Sequence, residues 1–305
     1  MTQAALWSAG ALLGAWGLDL AFGEPRNAWH PVAWLGRLLA PLGQQVRVLA
    51  PPAAFVSGAC VWLLLALGVL LLAALAEAAL RALPWWCGVP LLALLLKPAF
   101  AWRMLRDEVA AVERAFANGL PAARERVARL VSRDVSALDA PAVRETAIET
   151  LAENLNDSLV APLFWFAVGG LPGAALYRLA NTMDAMWGYR GPWEWAGKWA
   201  ARADDVLSWV PARITAGLIM IGAPRADWRR LPRHARGTPS PNGGWPMAAM
   251  ALRLGVRLGK PGVYCLNPQA AAPDERGVAL ALAHATRSAW LAVGLAVAAC
   301  LLIGA

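Results

Sequence analysis

Acidic residues recur at every fourth position in one polar stretch of the chain: Glu145, Glu149, Glu153 and Asp157. On a helix this spacing places the four carboxylates along one slowly turning stripe. Like charges so placed repel by roughly 0.2–0.5 kcal/mol per pair, and no lysine at the matching i+4 positions offsets them. The stripe therefore suggests a bound cation, and Mg²⁺ prefers such oxygen ligands. A solvated acidic face is the alternative.

A second polar cluster combines cations with acids. Arg178, Asn181 and Asp184 share one helical face at i, i+3 and i+6. Further charged residues follow within about 20 positions: Lys198, Arg202, Asp204 and Asp205. Arginine and lysine bind phosphate and carboxylates bind Mg²⁺, so the cluster has the groups of a phosphate-plus-metal site. A network of ion pairs at a membrane surface would use the same residues.

Three shorter clusters are weaker signals on their own. Asp19, Glu24 and His30 surround a Gly-Glu-Pro turn at the end of an apolar run, as a ligand site or an interfacial helix end would. The segment 132–136 (Ser-Arg-Asp-Val-Ser) is typical of a polar loop or an N-cap. The segment 240–246 (Ser-Pro-Asn-Gly-Gly-Trp-Pro) is typical of a turn, although exposed amides in such a turn can bind anions.

Several nucleotide-binding and hydrolase motifs do not occur in the sequence. Neither G-x-x-x-x-G-K-[ST], G-x-G-x-x-G after a strand, H-E-x-x-H nor G-x-S-x-G is present. The four cysteines form no C-x-x-C pair, so the sequence supports neither a disulfide framework nor a zinc site. Any nucleotide must therefore bind at a site other than a P-loop.

The elements that position these residues belong to a membrane protein. Of 305 residues, 59% are apolar and 16% are charged, and the mean hydropathy is +0.46. Soluble domains are about 45–50% apolar and about 25% charged. Seventeen tryptophans also fit membrane–water interfaces. The net charge of +8 lacks a basic stripe with interleaved aromatic residues, so it indicates cytoplasmic loops and anionic lipid rather than nucleic acid.

Four segments are apolar enough to span a bilayer, at about 4–22, 53–76, 83–102 and 288–305. The first lacks a basic n-region and a small-residue cleavage site, so it is not a cleavable signal peptide. Polar segments lie between the third and fourth spans, and both 103–156 and 225–287 are rich in Arg. The positive-inside rule places both in the cytoplasm.

Two further apolar stretches, 159–177 and 206–221, must therefore both span or both fail to span. We predict that neither spans. The first is interrupted by Gly169-Gly170-Leu171-Pro172-Gly173, and the second carries Pro211 and Arg213 near its centre. The sequence thus predicts an all-α, polytopic membrane protein with re-entrant or interfacial helices. It forms a single membrane-embedded domain over 1–305, with cytoplasmic insertions at 103–158 and 224–287.

Taken in their order along the chain, the clusters resemble the membrane-bound adenosylcobinamide-phosphate synthase family of cobalamin biosynthesis. The resemblance covers nearly the whole chain, and six motifs in a fixed order carry it although each alone is weak. The segments are Leu18-Asp19 to Glu24-Pro25 with His30-Pro31-Val32, Ser132-Arg133-Asp134, Glu149–Ser158, Tyr177-Arg178 to Asp184 with Gly188-Tyr189, Ala203-Asp204-Asp205, and Ser240–Pro246. Gly23-Glu24-Pro25 stands where Gly-Asp-Pro is more usual, which keeps a carboxylate and lengthens its reach.

The resemblance implies ATP- and Mg²⁺-dependent amide-bond formation between adenosylcobyric acid and (R)-1-amino-2-propanol or its O-phosphate. For this reaction we assign Glu149, Glu153, Asp157 and Asp184 as candidate Mg²⁺ ligands. The candidate residues for substrate or phosphate binding are Asp19, Glu24, Arg133, Asp134, Asn154, Arg178, Asn181, Tyr189, Lys198, Arg202, Ser240, Asn242, Gly243 and Gly244. The candidate proton acceptors are His30, Asp204 and Asp205, and tryptophan-rich surfaces are expected to hold the corrin ring.

Two other functions remain open at this stage. A membrane sensor or regulatory protein on the same scaffold would keep the helices but would not need the acidic and Asn-Gly-Gly clusters. A small-molecule transporter would place ionisable residues at the bilayer midplane, whereas most acids here lie in polar segments or at helix ends. The expected location is the cell inner membrane, with lipid and other late membrane enzymes of the pathway as partners and no nucleic acid.

Overall fold

The computed structural model describes residues 2–303, and most of this part of the chain is helical with almost no strand. This confirms the predicted fold class. The α-helices are α1 (Gln3–Phe22), α2 (Pro31–Arg47), α3 (Pro51–Arg81), α4 (Trp85–Leu96), α5 (Trp102–Ala115), α6 (Leu120–Val127), α7 (Ala140–Leu155), α8 (Ala161–Trp187), α9 (Lys198–Met220), α10 (Arg225–Ala235), α11 (Gly244–Leu254) and α12 (Glu275–Ile303). A short antiparallel hairpin joins β1 (Leu258–Lys260) to β2 (Tyr264–Leu266).

Five helical runs among the described residues are long and apolar enough to cross a membrane. They are Gln3–Phe22, Pro51–Arg81, Trp85–Asn118, Ala140–Trp187 and Glu275–Ile303. Two of these runs contain the predicted spans 4–22 and 53–76. The run Trp85–Asn118 covers 85–102 of the predicted span 83–102, and Glu275–Ile303 covers 288–303 of the predicted span 288–305, whose last two positions lie outside the described residues. The fifth run contains the apolar stretch 159–177, whereas α9, which contains 206–220, is not among the helices long and apolar enough to cross a membrane. On α3 only 6% of the most apolar window is buried, as expected for a helix that faces lipid.

The chain divides into two compact units. The first unit comprises 1–101, 161–208 and 293–305, and the second comprises 102–160 and 209–292. In the first unit α1 packs closely against α4. Gly88 of α4 permits this approach, since a Cβ at this position would overlap the Trp7 ring of α1. The second unit contains α5, α6, α7, α10, α11 and the hairpin. The segments predicted as insertions, 103–158 and 224–287, both belong to it.

Helix α8 is interrupted at Gly169 and Gly170, as the sequence predicted. Gly170 has φ of +63°, a left-handed conformation that favours glycine. The break leaves the next half-helix with unpaired N–H groups, and Glu77 of α3 satisfies one of them. Its Oε2 accepts a hydrogen bond from the Leu171 N–H at 2.8 Å, while its Oε1 pairs with Arg81 at 2.6 Å. A carboxylate therefore caps this half-helix N-terminus.

Helix α7 is the centre of the second unit, since most of its residues from Val143 to Leu155 are buried. It begins at the N-cap Asp139, whose side chain accepts a hydrogen bond from the Ala142 N–H. A π-helical turn follows at 156–160. Asp157, the last acid of the stripe, lies in this turn.

Candidate functional site

Polar side chains from α7, the loop before it and the hairpin line one cavity of the second unit, with a volume of about 250 Å³. We call it the carboxylate pocket. Four of its lining residues are among the predicted site residues, and they are Arg133, Glu149, Glu153 and Asn154. Lys260 and Tyr264 also line it, and the sequence analysis missed both. The structure thus brings acids and cations together from three separate parts of the chain.

Glu149 is the most deeply placed acid of this pocket, with 5% of its surface exposed. Its Oε2 lies 3.6 Å from the Arg133 guanidinium, which also donates to the Thr146 hydroxyl at 2.9 Å. Its Oε1 is buried and accepts no hydrogen bond within residues 2–303. A buried carboxylate oxygen without a partner is costly. Such an atom is an available ligand for a cation or a donor group in the pocket.

Burial also changes the protonation of this pocket. Glu149 lies before the apolar stretch 159–177. Burial raises the pKa of its carboxyl to about 7, while the Tyr264 hydroxyl and the positive charge of Arg133 lower this pKa. Burial raises the pKa of Tyr264 far above its ordinary value, and the negative charge of Glu149 adds to the effect. The Tyr264 hydroxyl consequently stays protonated, and it donates a hydrogen bond to Met247 Sδ at 3.6 Å.

Glu153 connects the pocket with the Asn-Gly-Gly turn. A Cβ added at Gly243 would lie 2.7 Å from Glu153 Oε1, so glycine leaves the room that this carboxylate occupies. At Gly244 a side chain would overlap the Ala235 carbonyl oxygen. Within the turn, Ser240 Oγ accepts from the N–H groups of Asn242 and Gly243 at 3.2 and 3.0 Å. Two amides expected to hold phosphate are therefore already bonded inside the turn.

The other two acids of the stripe have different surroundings. Glu145 is buried and pairs with Arg257 at 3.0 Å, and Asp157 Oδ1 accepts from the Asn156 amide at 2.8 Å. The protein's own cations thus offset part of the acidic stripe. Within the described part of the chain, no three His, Cys, Asp or Glu side chains form a group that could hold a metal. The pocket offers two carboxylates, the number that Mg²⁺ typically takes when phosphate and water supply the rest.

The remaining predicted residue of this unit, Asp134, serves a local turn. Its Oδ1 accepts from the Ser136 N–H at 2.8 Å, and this hydrogen bond lowers the pKa of the Asp134 carboxyl. Arg133, the neighbour of Asp134, is the residue of this motif that reaches the pocket. The Ser-Arg-Asp motif therefore combines a turn with one pocket cation.

In the first unit, a chain of buried charged groups follows the end of α1. Lys97 lies 3.0 Å from the fully buried Asp19 and also pairs with Glu24. Glu24 Oε2 is 2.6 Å from His30 Nε2. His30 Nδ1 accepts from the Val32 N–H at 3.2 Å, so the hydrogen bonds place the ring proton on Nε2. His30 caps α2 here, and neither ring nitrogen is free to accept a proton.

The second predicted cluster also lies in the first unit. Arg178 Nη1 donates to Asn181 Oδ1 at 3.5 Å, and Asn181 Nδ2 donates to Asp204 Oδ1 at 3.4 Å. Burial raises the pKa of Asp205. Of the other members of the cluster, Asp184 lies beside Gly188, Lys198 pairs with Glu194, and Tyr189 and Arg202 are exposed. Arg178, Asn181 and Asp204 thus form a chain of polar contacts.

Comparisons with known proteins give the family of this chain. It matches the family described as CobD/Cbib protein over residues 12–292. The "Probable cobalamin biosynthesis protein CobD" of Thermococcus kodakarensis is 41% identical over 257 residues, which cover 82% of this chain and 81% of that protein. The "Cobalamin biosynthesis protein CobD" of Chromobacterium violaceum is 39% identical over 310 residues, with 94% and 95% covered. No solved structure matches. The chain belongs to the CobD/Cbib family.

Proposed function

We propose that the protein joins adenosylcobyric acid to (R)-1-amino-2-propanol or its O-phosphate in an ATP-dependent reaction that gives adenosylcobinamide or its phosphate. Family membership supports the broader statement that the protein has a biosynthetic role in the formation of cobalamin. The relatives that it matches are named for this role. The reaction itself is our inference. The observation that carries it is the carboxylate pocket, in which Glu149 and Glu153 face the cations Arg133 and Lys260.

The chemistry of the reaction requires this combination of groups. A carboxylate is a poor electrophile, so its oxygen first attacks the γ-phosphorus of ATP and the bond to ADP breaks. The amine nitrogen then attacks the acyl carbon of the resulting acyl phosphate, inorganic phosphate leaves, and the ammonium proton passes to a base. Negative charge develops on the transferred phosphoryl group, and fixed cations stabilise it.

The residues of the pocket fit these steps. Mg²⁺, bound by Glu149 and Glu153, would neutralise phosphate charge and align ATP. The unpartnered Glu149 Oε1 and the room left by Gly243 beside Glu153 support this assignment. The Lys260 ammonium makes no hydrogen bond or ion pair within the described residues, so it is available to the phosphoryl group. The protonated Tyr264 hydroxyl lines the pocket together with Glu149.

The candidate proton acceptors are assigned by their chemistry alone. Asp204 and Asp205 keep the role of candidate proton acceptors, and burial favours the protonated form of Asp205. His30 is the weakest candidate of the three, because both of its ring nitrogens are engaged. We place the reaction at the cytoplasmic face of the cell inner membrane, where ATP is present, with lipid and other late membrane enzymes of the pathway as partners.

A direct assay of the purified protein tests the proposal. Adenosylcobyric acid, Mg²⁺–ATP and either aminopropanol or its O-phosphate are supplied, and product and ADP are measured by mass spectrometry. We expect one ADP for each amide formed. If neither amine gives product, the protein is not this ligase, and a regulatory protein on the same scaffold becomes the better hypothesis. Corrinoid transport into vesicles without ATP turnover would instead indicate a transporter.

A matched pair of glycine variants connects this activity with the pocket. The Gly243→Ala methyl group displaces Glu153 Oε1, and its backbone conformation (φ −55°) accepts alanine. We expect this variant to fold and to lose at least about 90% of its turnover, since a shift of about 1 Å in a site commonly costs this much or more. Gly217→Ala on α9 is the control, because nothing lies within 4 Å of its added Cβ. Equal activity of both variants would contradict the assignment of Glu153.

A further inference from the structure

A second cavity of the same unit has a different lining. Its volume is about 680 Å³, and Trp209, Arg213, Arg236, Thr238 and Trp245 contribute to its surface. We call it the tryptophan groove. Ligand pockets for small molecules occupy roughly 300–1,000 Å³ and combine aromatic walls with a few polar groups. The groove therefore has the size and lining of a ligand site, and no step described above uses it.

One wall of the groove is held rigidly by Arg213. Its guanidinium lies 4.3 Å from the centre of the Trp209 ring and 4.8 Å from that of Trp245. It also donates to the Trp209 carbonyl oxygen at 2.7 Å and to Asn242 Oδ1 at 2.9 Å. A cation stacked on both indoles and bonded to the backbone fixes the orientation of the two rings. The two indoles thus flank the Arg213 guanidinium and form an aromatic wall of the groove.

The groove also carries a cation that is available to a ligand. Arg236 is exposed, and its guanidinium makes no hydrogen bond or ion pair with any residue from 2 to 303. Arg213, in contrast, is committed to the wall by its bonds to Trp209 and Asn242. A ligand that fits has a broad apolar ring for the indoles and an anionic or amide group at its edge for Arg236.

A single turn separates the groove from the carboxylate pocket. Ser240 and Pro241 line the groove, while Gly243 of the same turn lies against Glu153 of the pocket. We infer that the tryptophan groove binds the large ring system of the acid substrate, whose reacting side-chain carboxylate extends past residues 240–244 into the carboxylate pocket. This inference rests on the proposed function, in which that ring is a corrin.

A membrane contact is the competing explanation for exposed tryptophans beside arginine. Interfacial tryptophans occur on helix surfaces and need no cavity. Here the rings line a concave groove, Arg213 is occupied by protein acceptors, and the groove adjoins a polar pocket through one short turn. These features favour a ligand with a ring over a lipid surface.

Direct binding of adenosylcobyric acid tests the inference. The corrinoid bound by the purified protein in detergent micelles is measured by equilibrium dialysis, with the visible absorption of the corrin as the readout. We expect Trp209→Ala to raise Kd about tenfold, as for loss of one aromatic contact, and Arg236→Ala to raise it about threefold to tenfold. Trp228→Ala and Arg229→Ala are matched controls, since both side chains are exposed on α10 of the same unit and line neither cavity. The controls should stay within about twofold of the wild type.

Steady-state kinetics separate this inference from the proposed function. The groove variants should raise KM for the corrinoid and keep kcat at saturation, because the groove binds the ring and not the reacting atoms. Groove-dependent corrinoid binding without amide formation would support the groove and refute the proposed reaction. Amide formation with unchanged KM in both variants would refute the groove and leave the reaction standing.

Two further outcomes also decide the matter. If Trp209→Ala does not fold, the exposed Arg236→Ala variant carries the test, and a Kd equal to that of Arg229→Ala overturns the inference. Vesicles containing phosphatidylglycerol address the competing explanation. If the groove variants lose only stabilisation by these vesicles and bind the corrinoid as the wild type does, the groove is a membrane contact and the inference is wrong.

Discussion

At the scale of residues, the four acids of one helical stripe have different partners. Arg257 pairs with Glu145, and Asp157 lies in the π-helical turn, where its Oδ1 accepts a hydrogen bond from the Asn156 amide. Only Glu149 and Glu153 line the carboxylate pocket together. Glu149 is buried with one oxygen unpartnered, while Glu153 lies beside Gly243. Two of the four acids are therefore placed to act on a shared ligand.

Glu153→Gln tests the metal assignment. Removing one of several like charges relieves repulsion, so we expect the variant without ligand to unfold at the same temperature as the wild type or slightly above it. A ligand that binds the folded state at 100 times its Kd adds about 2.7 kcal/mol of stability. Mg²⁺–ATP should therefore raise the thermal midpoint of the wild type but not of the variant.

Glu125→Gln is the control for this experiment. Glu125 is an exposed acid of the same unit that pairs with Arg129. Its variant should respond to Mg²⁺–ATP as the wild type does. If Glu153→Gln shows the wild-type shift and normal turnover, Glu153 is a surface residue and the metal assignment is wrong.

Glu149→Gln tests the electrostatics of the pocket through pH. Burial raises the folded-state pKa from 4.5 to about 7. Between these values the unfolded chain has released the proton that the folded chain retains, so wild-type stability falls as pH rises through this window and levels off above it. Glutamine does not titrate. Without Mg²⁺–ATP, the thermal midpoint of the variant relative to the wild type should rise by about 2–5 °C between pH 5 and pH 7.5. Parallel pH curves for the two proteins would contradict this electrostatic account.

Local spacing explains which site residues the sequence could predict. The interval of four brings Glu149 and Glu153 to one helix face, and both residues do line the pocket. Asp157 follows at the same interval, but it lies in a π-helical turn and is not among the residues that line the pocket. Lys260 and Tyr264 lie more than 100 positions further on, in a short hairpin. Only tertiary packing brings them to α7, so no local pattern identified them.

At the scale of elements, one residue of α3, Glu77, caps the half-helix that follows the break in α8. Gly169-Gly170 predicted the position of the break, since glycine permits the left-handed conformation seen at Gly170. The capping carboxylate was not predictable in this way. Glu77 lies four residues before Arg81, which is typical of an ordinary i,i+4 ion pair. Its second oxygen reaches Leu171, 94 positions along the chain.

Alanine at each of the two glycines tests this account. At Gly170 a Cβ would lie 2.5 Å from Glu77 Oε2, and φ is +63°. We expect Gly170→Ala to cost about 1–3 kcal/mol, from strain and a displaced cap. At Gly169 φ is −128° and nothing lies within 4 Å, so Gly169→Ala should be neutral or slightly stabilising. The measurement is thermal unfolding in detergent, and equal midpoints for the two variants would show that the cap has no energetic role.

At the scale of the whole molecule, hydropathy predicted the positions of the apolar helices better than the number of times that the chain crosses the membrane. Each of the four predicted spans coincides over most of its length with a helical run long enough to cross a membrane, and 140–187 is a fifth such run among the described residues. Among the described runs that are long and apolar enough to cross a membrane, it is the one whose apolar part lies between the basic segments 103–156 and 225–287. A single crossing there would put the segments on opposite sides, against the positive-inside rule. We therefore predict that 159–177 enters the membrane and returns.

Single-cysteine labelling at Arg190 tests this topology. Arg190 is an exposed residue that follows α8, and the background variant has Cys60, Cys87, Cys265 and Cys300 replaced. If 159–177 re-enters, both ends of this stretch lie in the cytoplasm, because its break at Gly169-Gly170 turns the chain back. A membrane-impermeant thiol reagent should then modify Arg190→Cys only after the cells are permeabilised. Labelling of intact cells from outside would make 159–177 a true span. The chain must then cross again at 206–221, despite Pro211 and Arg213, to return the basic segment 225–287 to the cytoplasm.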